Sequence, residues 1–217
     1  MGARSRATSL TVCVSALVAC SDFGWTRLEK PYSSFELRAV IEQPDLFAPY
    51  SIDPESGAAA TRSCPEVEIR KERVGAAGAG YDVSYAYSED ERALRACAGG
   101  AETSQIQILL GPLESSGKAG FRTYEVSTVA VVSGADITRG RVVEDHGAFS
   151  VRLELARGKV NLASFSERHS KGRLAVVLDG QVIAAPRVPD ALAGDDVILL
   201  VPNQAAGKAL LHKLTGT

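Results

Sequence analysis

Three side chains in the C-terminal half of the chain have the residue types of a nucleophilic catalytic triad: Ser166, His169 and Asp179. In such a triad the histidine takes the proton of the serine hydroxyl, and the carboxylate orients the histidine. Ser166 and His169 lie three apart in a segment predicted to be helical, where such pairs are usually solvated neighbours. We therefore expect a non-enzymatic protein without catalytic residues or a cofactor, and keep a serine hydrolase as an alternative.

Residues 1–19 have the features of a secretory signal peptide. Two arginines precede a short apolar run over residues 10–18, and the segment contains no acidic residue. The run is about half the roughly 20 residues that cross a bilayer as a helix. Residues 17–20, with the sequence LVAC, resemble the lipobox of bacterial lipoproteins, in which the cysteine is acylated and becomes the mature N-terminus. The resemblance implies lipid attachment at Cys20; the alternative is an ordinary signal peptide cleaved nearby, with Cys20 a free thiol.

The residue after Cys20 is Ser21 rather than aspartate, which resembles lipoproteins that are sent to an outer membrane. We therefore expect a lipid-anchored protein on the periplasmic side of a bacterial cell envelope, at the outer rather than the inner membrane. Residues 20–33 are mostly polar and contain Gly24 and Pro31. They are predicted to be a tether between the lipid and the folded part of the chain.

Two cysteines remain once Cys13 leaves with the signal peptide and Cys20 carries the lipid. In an oxidising compartment disulfides persist, so we predict that Cys64 and Cys97 are joined. Closing this loop would stabilise the fold by about 4 kcal/mol in the chain-entropy model. The alternative is a pair of reduced, buried cysteines. Neither the cysteine spacing nor the scattered histidines match a zinc site, and no metal is expected.

The composition is ordinary for a folded domain, with 45% hydrophobic and 23% charged residues among 217. The formal charge is −2, and loss of the two signal-peptide arginines makes it −4. A weakly acidic chain lacks the positive surface of a nucleic-acid binder, so we expect no nucleic-acid partner. No second apolar stretch approaches the length of a membrane span.

Apolar periodicity predicts strands and helices along the remaining chain. One strand places large residues on a single face, which either belongs to the core or offers a surface to an extended peptide: Tyr81, Val83, Tyr85 and Tyr87. After it, Ser88 and Glu91 form a capping-box pattern that predicts the start of a helix. Residues 45–63 are rich in Pro, Ser, Gly and Ala and predict a long loop.

The strongest turn signal is Asp179-Gly180, which lies between two apolar runs. This dipeptide predicts a two-residue hairpin, because the turn needs positive backbone φ angles at both positions. Asn203 is predicted to cap a final helix. Together these patterns predict an α+β fold, with a mainly antiparallel sheet and helices packed on one face.

The order of the C-terminal motifs resembles the first periplasmic domain of SecD, the membrane subunit that assists the Sec translocon. The motifs are GADI at residues 134–137, GRLAVVLDGQV at residues 172–182, and Ala185-Pro186. The resemblance covers residues 131–216 and extends weakly to the strand FELRAV at residues 35–40. It implies a SecD periplasmic-head-like (SecDF P1 head) domain over 103–217, preceded by an N-terminal α+β part over 34–102.

The resemblance also implies a function in protein export. A SecD-like head would be a non-enzymatic, membrane-anchored module that binds exported polypeptide or components of the Sec translocon. SecD draws on the proton gradient through transmembrane helices, and this sequence shows no counterpart of them, so we expect no energy source of its own. The alternative is a structural or regulatory envelope lipoprotein that has kept the fold without a transport role.

Overall fold

A computed structural model describes residues 26–27, 34–42, 46–47, 64, 66–74, 80–99, 102–115, 118–156, 162–168, 172–188 and 196–215. In this part of the chain two sheets and three α-helices form. The strands are β1 (Thr26–Arg27), β2 (Phe35–Val40), β3 (Glu68–Val74), β4 (Tyr81–Ser88), β5 (Ile106–Ser115), β6 (Lys118–Ser133), β7 (Ile137–Asp145), β8 (Ala148–Leu155), β9 (Leu174–Leu178), β10 (Gln181–Ala184) and β11 (Asp196–Val201). The helices are α1 (Glu91–Ala98), α2 (Leu162–Arg168) and α3 (Gln204–Thr215), with a 3-10 turn at Gly134–Asp136.

The larger sheet has the strand order β2-β9-β10-β5-β6-β4-β3. A further pairing of β2 with β6 closes β2, β9, β10, β5 and β6 into a ring. All five ring strands contribute side chains to one apolar cluster, which therefore lies inside the ring: Val40, Leu109, Val126, Ala175, Val177 and Val182. The long strand β6 makes this closure possible, because its first half pairs with β5 and its second half with β2.

The smaller sheet has the order β1-β7-β8-β11, and all of its pairings are antiparallel. Its buried face packs against α2, α3 and the outer face of β2 and β9 in the largest apolar cluster. Asn203 Oδ1 accepts a hydrogen bond of 2.9 Å from the Ala206 amide and so caps α3, as the sequence predicted. Leu162 and Phe165 of α2 are both buried in this cluster.

Helix α1 belongs to a different layer. Its Leu94, Cys97 and Ala98 pack with Phe47 and with Ile108 of β5 on the outer face of the larger sheet. The cap of α1 is Asp90, whose Oδ1 accepts a 2.8 Å hydrogen bond from the Arg92 amide. The predicted cap at Ser88 is therefore wrong by two residues, since Ser88 is still the last residue of β4.

The coarse α+β class fits this structure, but the expected single sheet with helices on one face is not what forms. The described residues form two sheets, with α1 packed on one and α3 on the other. The strand pairings are mainly antiparallel, and β10 pairs in parallel with β5. Apolar periodicity identifies buried residues within a strand, but it does not say which sheet the strand joins. The larger sheet also combines strands from both sides of residue 103.

Candidate functional site

Two predicted features of the N-terminus lie outside the described residues. These are the signal peptide at 1–19 and Cys20, the predicted site of lipid attachment. Within the stretch predicted to be a tether, Thr26 pairs with Gly140 and Arg27 with Arg139, so this part of 20–33 forms an edge strand of the smaller sheet.

The predicted disulfide is present between Cys64 and Cys97, whose Cα atoms are 5.5 Å apart. It fastens the last turn of α1 to the segment that enters β3. Close to it lies Phe47, whose side chain is fully buried although residues 45–63 were predicted to be a loop. The only sequence signal for the burial of Phe47 is that it stands beside Leu46 as one of the few large apolar residues in a stretch rich in Pro, Ser, Gly and Ala.

The Asp179-Gly180 hairpin turn joins β9 to β10, with φ angles of 51° and 75°. The Asp179 carboxylate forms an ion pair with Lys213 of α3, and the pKa of Asp179 is lowered by hydrogen bonds from Lys213 and Ser34. Ser166 is fully buried in α2, whereas Asp179 lies in an exposed turn. His169, the third residue of the hydrolase alternative, lies outside the described residues.

The tyrosine face of β4 is covered by arginine side chains. The Arg122 guanidinium lies 3.8 Å from the ring centroid of Tyr85 and 4.6 Å from that of Tyr124. Arg70 lies 3.7 Å from the ring of Tyr87. These distances are within the range of cation-π attraction, which is strongest where the pair is withdrawn from water. Tyr85 and Tyr87 therefore do not present an uncovered aromatic surface to which an extended peptide could bind.

From this face, side chains of alternating charge form a continuous series of hydrogen bonds and ion pairs that leads to Arg173 and Glu42. Glu72 of β3 accepts hydrogen bonds of 2.8 and 2.9 Å from the two terminal nitrogens of Arg122. Arg173 lies 2.5 Å from Glu72 and donates a 2.8 Å hydrogen bond to Glu42. Glu42 in turn accepts a 2.7 Å hydrogen bond from the Tyr81 hydroxyl. We call these residues the Arg–Tyr cluster: Glu42, Arg70, Glu72, Tyr81, Tyr85, Tyr87, Arg122, Tyr124 and Arg173.

Burial and neighbouring charges both shift pKa values in this cluster. Burial opposes ionisation of Glu72, but the hydrogen bonds and positive charges of Arg122 and Arg173 outweigh it and lower the pKa of Glu72 from 4.5 to about 2. The hydrogen bond to Glu42, followed by burial, raises the pKa of Tyr81 to about 12. At neutral pH Glu72 is therefore ionised and Tyr81 is protonated, which is the state that the hydrogen bonds require.

Each arginine of the Arg–Tyr cluster is paired with a glutamate of this protein, Arg70 with Glu68 outside the cluster, and Tyr81 is the exposed tyrosine of the cluster, at 41%. The arrangement of the cluster suits a structural clamp better than a binding pocket. A shallower cleft beyond it is lined by Glu66, Glu68, Glu89 and Asp90, but Glu68 pairs with Arg70 and Glu89 with Lys118. A partner that pairs with backbone would instead meet the protein at a sheet edge.

Among the described residues no three His, Cys, Asp or Glu side chains are grouped so that they could hold a metal ion. None of the described helices has the length and apolar character that a membrane span requires.

Residues 112–207 match the model of the SecDF P1 head subdomain. No curated protein and no solved structure matches the chain. The matched span runs from β5 into α3 and contains Arg122, Tyr124 and Arg173 of the Arg–Tyr cluster, whereas Glu42 and Glu72 lie before it. The cluster therefore joins the matched domain to the N-terminal part of the chain.

Proposed function

Because residues 112–207 form a SecD/SecDF P1 head-like domain, we propose that this protein is a non-enzymatic module of protein export that binds exported polypeptide. The family match carries the proposal. Sec translocon components are the second class of partner that the same match supports. Pairing of backbone groups at a sheet edge would give the sequence tolerance that many different clients require, because the hydrogen bonds do not depend on side chains.

The proposed location is the periplasmic face of a bacterial envelope membrane, where lipid on Cys20 would hold the head-like domain. The lipobox-like LVAC at residues 17–20 supports this part of the proposal. Two acyl signals are needed for durable anchoring, and lipoprotein modification supplies more than one chain. Replacing Cys20 by alanine is expected to move the protein from the membrane to the soluble fraction. Cys13→Ala is the matched control and should leave the protein in the membrane fraction.

Crosslinking in living cells tests the export function. A cleavable crosslinker applied to cells that make the wild-type protein is expected to recover unfolded exported chains or translocon subunits. Recovery of neither would contradict the proposal. A deletion strain separates the alternative, since unchanged export together with altered envelope integrity would favour a structural or regulatory lipoprotein.

A further inference from the structure

We infer that the edge of β11 that faces away from β8 is the surface on which an extended polypeptide pairs, an inference that rests on the proposed function and gives it a site. β11 comprises Asp196–Val201 and is the terminal strand of the smaller sheet. Within the described part of the chain its only strand neighbour is β8. An edge strand presents backbone donors and acceptors that another strand can satisfy.

The contrast between the edge strands β3 and β11 carries the inference. β3, the edge strand of the larger sheet, has charged side chains at five of its seven positions: Glu68, Arg70, Lys71, Glu72 and Arg73. Proteins use charged residues in this way to prevent unwanted strand pairing. β11 has the sequence DVILLV, with five consecutive apolar residues and no lysine, proline or glycine. The protein thus protects the edge at β3 and leaves the edge at β11 suited to pairing.

The side chains of β11 indicate the kind of chain that fits. Val197, Leu199 and Val201 are buried in the core, whereas Ile198 and Leu200 are half-buried on the opposite face. A polypeptide paired along β11 would place alternate side chains next to Ile198 and Leu200. An extended segment with apolar residues at alternate positions therefore fits this edge.

Helix α3 does not run along this edge. A Cβ atom at Gly140 of β7 would lie 2.6 Å from Leu211, and one at Gly207 would lie 3.0 Å from Val142. The same Cβ atom at Gly207 would lie 3.3 Å from Val201 of β11, and Leu214 is buried in the core, so α3 packs on the buried face of the sheet, over β7 and the end of β11, and not beside its edge. The only charged side chain of β11 is Asp196, which accepts a 2.7 Å hydrogen bond from Arg152 of the neighbouring strand.

The length of β11 favours a transient client over a second copy of this chain. Six residues offer about 20 Å of pairing edge. A contact confined to one strand edge of this length is much smaller than a surface that buries the roughly 1,600 Å² usual in a stable protein interface. A client that must be released after export needs only such a limited contact.

The test uses the full-length wild-type protein and a ten-residue peptide of alternating valine and threonine. One derivative carries N-methyl groups on the amides of one edge of the peptide strand, and a second derivative carries them on the amides of the other edge. Each derivative can pair only through the edge that is not methylated. Strand pairing at one register and direction predicts that one derivative binds at least about tenfold more weakly than the parent peptide while the other keeps its affinity. Equal affinities for both derivatives would overturn the inference.

Variants of the protein test whether the peptide binds at the edge of β11. Ile198→Lys and Leu200→Lys are expected to weaken binding of the peptide, and of a reduced and carboxymethylated protein as unfolded client, by about tenfold. Val129→Lys is the matched control, since Val129 is 73% exposed on the other sheet and should bind as wild type does. Thermal melting of each variant checks that it is folded.

The possible results separate the inference from the proposed function. If wild type binds the unfolded client and the β11 variants bind it equally well, the β11 site is wrong and the function stands. If wild type binds neither probe and crosslinks to no export partner, the proposed function fails as well. If wild type sediments as a dimer that Ile198→Lys converts to monomer, the edge is occupied by a second copy and the inference is overturned.

Discussion

Glu72 of the edge strand β3 reaches across β4 to Arg122 of β6, and the two side chains form paired hydrogen bonds of 2.8 and 2.9 Å. Arg122 is only 6% exposed and lies against the rings of Tyr85 and Tyr124. Glu72 also contacts Arg173 at the start of β9. One carboxylate therefore fastens the β3–β4 hairpin to two strands of the SecDF head-like domain.

Removing the charge of Glu72 should destabilise the protein strongly. Glu72→Gln leaves Arg122 buried without its counter-ion, which costs about 3 kcal/mol of unfolding free energy by analogy with other broken buried pairs. Asp82→Asn is the matched control on the adjacent strand, because the Arg73–Asp82 pair is more than half exposed on both sides. That change should cost less than about 1 kcal/mol. Urea denaturation of both variants measures the difference, and equal losses would argue against a clamp.

The contribution of Glu72 should depend on pH in a defined window. Its pKa is about 2 in the folded protein against 4.5 when unperturbed, so folding favours the ionised form. The unfolded chain therefore takes up protons first as the pH falls, and the stabilisation present above pH 4.5 is lost progressively toward pH 2. Urea midpoints of wild type and Glu72→Gln should differ by a constant amount above that window and converge within it. A difference that stays constant down to pH 2 would contradict this assignment.

The disulfide should stabilise the fold independently of the Arg–Tyr cluster. Cys64 and Cys97 are 33 positions apart, and opening a loop of this size costs about 4 kcal/mol in the chain-entropy model. Reduction by dithiothreitol should lower the unfolding free energy of wild type, measured by urea denaturation, by that amount. In the double variant Cys64→Ala and Cys97→Ala the reductant should have no effect. If reductant shifts both proteins equally, the stabilisation comes from elsewhere.

Local features of this fold could be predicted from the sequence because their causes are local. Asp179-Gly180 between two apolar runs indicated a hairpin, and the alternation of large residues from Tyr81 to Tyr87 indicated the strand β4. Likewise Asn203 stands directly before α3 and caps it. In each case the residues that act together are neighbours in the chain, so their spacing carries the information.

Features that join distant segments could not be predicted in the same way. Glu42, Glu72, Arg122 and Arg173 look like ordinary surface charges in the sequence, and only the pairing of β3, β4 and β6 brings them together. Closure of the ring depends on β2 pairing with β6, which no periodicity reveals. Phe47 was missed for the same reason, since its burial is provided by α1 and β5 rather than by its own segment.

The hairpin turn at Asp179-Gly180 should tolerate side chains according to backbone conformation alone. Gly180 has a φ of 75°, and a Cβ atom there would meet no heavy atom within 4 Å, so any cost of substitution comes from the left-handed backbone and not from crowding. Gly180→Val should therefore lower the unfolding free energy by about 1–2 kcal/mol, whereas Gly180→Asn should cost clearly less, because asparagine tolerates this conformation better. Urea denaturation compares the two variants. Equal losses for valine and asparagine would show that the turn does not hold this conformation in solution.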